Sequence, residues 1–149
     1  MATKLRKAKK VLEEKRIYVI VPMTVTPEFG RLEGKRISME PGRLMAQCAH
    51  VVSRMRGELY LKTKDPAIFN ATTTIVLSVR NSRELRKIHT ALSARQLTID
   101  GKNGFDTFDF CDTNPSLYGT SRGIQTAVCT SPVRKSFIDE EMGHLELYV

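Results

Sequence analysis

Arg43, Gln47, His50 and Arg54 lie at i, i+4, i+7 and i+11. On an α-helix that spacing lines up one stripe, here holding three groups able to carry positive charge and one amide. Such a stripe suits contact with phosphates, and it is equally the pattern of the wet side of an amphipathic helix. Further on, Asp112 precedes a hydroxyl-rich run of Thr113, Ser116, Tyr118, Thr120 and Ser121. A carboxylate there can orient or deprotonate a water while Arg43 neutralises a phosphate or a developing oxyanion. The plainer reading makes Asp112 an Asx-turn residue.

Other chemistries lack their residues. Cys48 and His50 point roughly 200° apart on a helix and form no nucleophile–base dyad. The apolar patterns around Cys48, Cys111 and Cys129 assign all three to the core. His50, His89 and His144 have no metal-ligand spacing. No GxxxxGK[ST], GxGxxG or GxSxG is present, which argues against P-loop and α/β-hydrolase chemistry. Nothing here calls for a cofactor.

The elements that must position these residues follow from periodicity. Ile17–Val21 is continuously apolar and β-branched, as in a strand buried on both faces. Residues 22–38, with Pro22, Pro27, Gly30 and Gly34, read as a long loop of functional interest. A helix is predicted over Glu40–Arg56, with Pro41 in its first turn, Leu44, Cys48, Val51, Val52 and Met55 inward, and Gly57 as its stop. Thr72–Arg80, Phe105–Cys111 and Ile124–Thr130 read as strands, and Ser82–Arg95 as a helix capped by Ser82. Pro132 opens a short helix through Glu141, and Leu145–Tyr148 is a terminal extended piece. Strands alternating with helices indicate an α/β layer fold with a small, partly parallel sheet. In such sheets ligands gather at strand carboxyl ends and helix N-termini.

The chain has 149 residues, the size of one domain. It carries 24 Lys+Arg against 16 Asp+Glu, for a net charge of +8. The excess is concentrated in residues 1–16, where Lys4, Arg6, Lys7, Lys9, Lys10, Lys15 and Arg16 face only Glu13 and Glu14. That segment reads as a basic helical extension, either a solubilising surface or an arm that approaches a polyanion; residues 17–149 form the single α/β domain. No apolar run approaches the roughly 20 residues needed to span a bilayer, so no membrane association is expected. The odd, widely spaced cysteines suit a reducing cytosol.

Gly42-Arg-Leu-Met-Ala-Gln-Cys-Ala-His50 resembles the Gly-Lys-x-x-Ala-Gln-x-x-His segment of the type 2 (archaeal/eukaryotic) peptidyl-tRNA hydrolases. Phe137-Ile-Asp-Glu-Glu-Met-Gly-His-Leu-Glu-Leu-Tyr148 is similar to that family's Leu-Ile-Asp-x-x-Thr-Gly-His-Leu-x-Leu-Tyr terminus, and Gln125-Thr126 to the Gln-Thr opening its last core strand. The similarity runs over roughly residues 17–149. It implies a mixed four-stranded sheet flanked by helices on both faces, in three layers. It also implies a homodimer, a tRNA partner, and cleavage of the ester joining a peptide to the 3′ ribose of tRNA.

Carried over by residue, the family's helix-start Lys falls on Arg43, its first Lys on Pro41 and its Asp on Asp112. The Thr four residues beyond that Asp falls on Ser116 by offset. Counting back from Gln125-Thr126 it falls on Tyr118, with Thr120 nearby, because this chain has about two extra residues there. The resemblance thus implies a catalytic set of Arg43, Asp112, Ser116 and Thr120, with Gln47, His50, Arg54 and Tyr118 placing the substrate. Arg has a pKa above about 12 and cannot act as a neutral base, so Arg43 serves only if the reaction needs a fixed cation. The alternative is a non-catalytic module binding tRNA, other RNA or protein on the same fold, because Pro41 and Arg43 stand at both lysine positions.

Overall fold

A computed structural model describes residues 14–98 and 104–148. β1 (Lys15–Pro22) is the central strand. Its apolar run is divided between two cores: Ile17, Val19 and Val21 face one side of the sheet, and Tyr18 and Ile20 the other. Burial on both faces is what an unbroken apolar strand requires. After β1, the short strands β2 (Thr24–Val25) and β3 (Ile37–Ser38) pair antiparallel. Then come α1 (Pro41–Thr63), a 3-10 turn (Pro66–Phe69), β4 (Thr74–Val79) and α2 (Ser82–Thr98). The chain continues through β5 (Thr107–Asp112), the single-turn α3 (Pro115–Tyr118) and β6 (Ile124–Thr130). It closes with β7 (Val133–Arg134), a 3-10 turn (Lys135–Phe137), α4 (Asp139–Met142) and β8 (Glu146–Leu147).

The main sheet has six strands in the order β5-β6-β1-β4-β8, with β7 paired to the start of β1. The four longer strands are the four expected; β7 and β8 are two-residue additions, made because backbone beside β1 and β4 still offers hydrogen bonds. β1 and β4 are parallel, while β6 runs antiparallel to both β1 and β5. β1, β4 and β5 therefore end at the same edge, where α1, α2 and α3 begin. α1 covers the core containing Val19, Leu44, Val51, Met55 and Cys129. α2 covers the core containing Ile20, Leu85, Ile88, Leu92 and Val128. The three-layer α/β class holds.

Several boundaries move. Gly57 does not stop α1, which runs to Thr63 and ends where Lys64 turns left-handed at φ 57°. Leu59 packs onto the α1-side core, and that contact outweighs the roughly 1 kcal/mol helical cost of one glycine. The segment after Pro132 is β7, a 3-10 turn and α4 rather than one helix. Lys15 and Arg16 belong to β1, while residues 1–13 of the expected basic extension lie outside the described residues. Cys111 is exposed, not core, because alternation on the edge strand β5 turns it away from Phe110.

Residues 22–38 are not a free loop. Val25 and Met39 are buried under α1, and the segment docks on the turn after α3 through the Arg31 N–H, which donates to Gly119 O at 3.0 Å. Gly30 makes that approach possible: its φ is +84°, and a Cβ there would stand 2.3 Å from Gly119 O.

Candidate active site

The polar stripe on α1 lies along the edge strand β5, with His50 and Arg54 still exposed. Arg54 donates to Asp109 O (2.6 Å) and Asp109 Oδ1 (3.3 Å), and also to Glu58 (2.8 Å). One turn back, His50 stacks on Phe110 with ring centroids 4.9 Å apart. Gln47, one turn further, is only 3% exposed, so it belongs to the buried stripe with Leu44, Val51 and Met55. Arg43 sits in the first turn of α1, where the first intrahelical bond is Leu44 N–H to Glu40 O.

β5 delivers Asp112 to the end of that stripe. Asn114, not Asp112, caps the following turn, its side chain accepting from the Leu117 N–H at 3.1 Å. Gly119, left-handed at φ 67°, closes α3 after a single turn. Tyr118 therefore returns with its ring fully buried and its hydroxyl donating to Asp112 Oδ2 at 2.9 Å. Gln47 Nε2 donates to the same oxygen at 3.4 Å, and Gln47 Oε1 accepts from Thr126 Oγ1 at 2.7 Å. The amide orientation is forced, since a flipped Gln47 would turn its oxygen toward the carboxylate.

Burial pushes the Tyr118 phenol well above its usual range, and the Asp112 carboxylate adds to this through its hydrogen bond and charge; Arg43 pulls the other way by charge and hydrogen bonding. Asp112 thus accepts from this hydroxyl while Arg43 acts on it from nearby through its charge. Among the described residues they make no direct ion pair.

Thr126 reaches this site through an irregularity in pairing. Phe110 pairs with Ala127 but Cys111 pairs with Gln125, so Thr126 is an extra residue in β6. The bulge puts Thr126 and Ala127 on the α1 face and turns Gln125 to the other, where its Nε2 contacts His89 Nδ1 (2.9 Å) and Asp109 Oδ2 (3.1 Å). The Gln125-Thr126 pair was visible in the sequence, but simple alternation would send Thr126 to the α2 face with Val128.

Of the hydroxyls considered, only Tyr118 contacts Asp112. Ser116 is exposed on α3. Thr120 accepts from the Arg122 N–H at 3.1 Å and lines a neighbouring cleft with Phe29 and Arg122. No group of three or more potential metal-ligating side chains clusters among the described residues. No helix among them is long and apolar enough to cross a membrane.

The sequence model of the family described as Peptidyl-tRNA hydrolase PTH2 matches residues 34–148. The chain belongs to this family. The match includes every residue of the Arg43–Tyr118–Asp112–Gln47–Thr126 network. No curated protein matches the chain. In this PTH2 member Arg43 stands in the first turn of α1 and the Tyr118 hydroxyl is set against Asp112.

Proposed function

We propose that the chain hydrolyses the ester between a peptide and the 3′ end of tRNA, recycling peptidyl-tRNA in the cytoplasm as a homodimer. The observation that carries this reading is the Tyr118–Asp112 hydrogen bond, set beside Arg43 in the first turn of α1. Both hydrogen bonds to Asp112 fall on Oδ2, which leaves Oδ1 to hold a water. Asp112 accepts the water's proton as its oxygen adds to the ester carbonyl, and returns that proton to the departing ribose 3′ oxygen. Arg43 and the free first-turn N–H groups of α1 face the charge that develops on the carbonyl oxygen. Arg43 supplies charge and donors, never a base. Tyr118, held protonated, donates to Asp112 and does not act as a base.

Gln47 is a positioning residue within this scheme, not a substrate contact. Arg54 is already engaged by Asp109 and Glu58, so His50 and Arg43 are the stripe's groups offered to RNA. Phosphate contacts make binding weaken steeply as salt rises.

The test is peptide release from N-blocked aminoacyl-tRNA. Asp112→Asn is expected to fall to background, and Arg43→Ala to lose on the order of 10²-fold in rate. Release by wild type and Asp112→Asn at the same background rate overturns the enzyme reading. Retention of tRNA without turnover would instead favour the binding module that Pro41 and Arg43 suggest.

A further inference from the structure

We propose that the cleft between residues 26–29 and the turn after α3 seats a nucleobase from the single-stranded 3′ end of an RNA, held on a platform of Phe29 and Arg122. The identity of the RNA rests on the function proposed above; the base seat itself rests on other observations.

Phe29 is 47% exposed, yet its ring is covered by the Arg122 guanidinium at 4.0 Å from the centroid. The cleft beside them, about 160 Å³, is also lined by Ser82, Thr120, Ile124 and Gln125, a size suited to one flat heterocycle. Aromatic faces and guanidinium planes are the surfaces on which unpaired bases stack. Among the described residues Arg122 has no carboxylate partner, so its charge is available to a phosphate. Glu28, the acid lining this cleft, is paired with Arg86 and repels an incoming phosphate less.

The platform is also tied to the proposed catalytic residues. Gly30, next to Phe29, packs against Gly119 and Thr120, and Gly119 directly follows Tyr118. A base stacked on Phe29 is thereby held at a fixed offset from the Tyr118–Asp112 pair. Phe29 lies ahead of the stretch 34–148 matched by the family, so that match does not assign this seat.

The experiment measures binding of the full chain, at one low salt concentration, to uncharged tRNA with an intact 3′ end and to the same tRNA lacking its last three nucleotides. Wild type is expected to prefer the intact form by roughly tenfold. Phe29→Ala is expected to erase the preference without weakening the truncated form, and Phe29→Trp to restore it. Equal binding of both tRNAs by wild type, or equal weakening of both by Phe29→Ala, overturns the seat and leaves the hydrolase reading standing. A Phe29-dependent preference in a protein that releases no peptide keeps the seat and removes the hydrolase. Displacement by equimolar adenosine monophosphate overturns the RNA-end assignment in favour of a free nucleotide, and absence of any tRNA binding overturns both proposals.

Discussion

Asp112 spends one carboxylate oxygen on the fold and keeps the other out of it, and the two donors responsible are separable. Removing the phenol with Tyr118→Phe keeps the buried ring. It is expected to lower the rate of peptide release by about tenfold, with a stability loss near 1 kcal/mol by thermal melting. Removing the amide with Gln47→Leu leaves the buried Thr126 hydroxyl only the long contact to Phe110 O at 3.5 Å. That variant is expected to cost about 1–3 kcal/mol in denaturant unfolding, and adding Thr126→Val should recover part of it. If Gln47→Leu melts like wild type, the network is not a support.

At the scale of elements, two glycines have opposite roles. Gly57 lies inside α1 with open space around its Cβ position. Gly57→Ala is therefore expected to stabilise the protein by about 0.5–1 kcal/mol in chemical denaturation, without changing peptide release. Gly30 combines a positive φ with a backbone oxygen where a Cβ would go, so Gly30→Ala should push the 26–34 segment off the turn after α3. Its expected signature is faster hydrogen exchange at the Arg31 amide together with lost tRNA affinity. α1 illustrates what the sequence conceals at this scale. Leu44, Gln47, Val51 and Met55 follow helical spacing as closely as the apolar stripe does, yet glutamine's polarity assigns it outward. Only the partners supplied by β5 and β6 make its burial affordable.

For the whole molecule, pH sets a limit on stability. Burial pushes the Cys48 thiol from 9.0 up to about 11 and the Cys129 thiol up to about 12, and raises the Tyr118 phenol as well. Folded pKa values above the unfolded ones mean that the native state holds these protons more tightly. The contribution is complete below about pH 9 and is lost as pH rises toward 11–12. Melting temperature should accordingly fall above pH 9, and less so in a Cys48→Ala/Cys129→Ala variant. A thiol reagent at neutral pH should label exposed Cys111 first and buried Cys129 only on unfolding.

The sequence by itself determined the α/β class, the central two-faced strand, the helix carrying Arg43 to Arg54 and the candidacy of Asp112, because each is written in local periodicity or in a short motif. Tertiary structure decided which hydroxyl meets Asp112, that Gln47 faces inward, and that residues 22–38 are pinned rather than loose. Those outcomes depend on a one-residue slip between β5 and β6 and on a single helical turn closed at Gly119. Long-range register and chain return set them, and neither leaves a repeat in the local sequence.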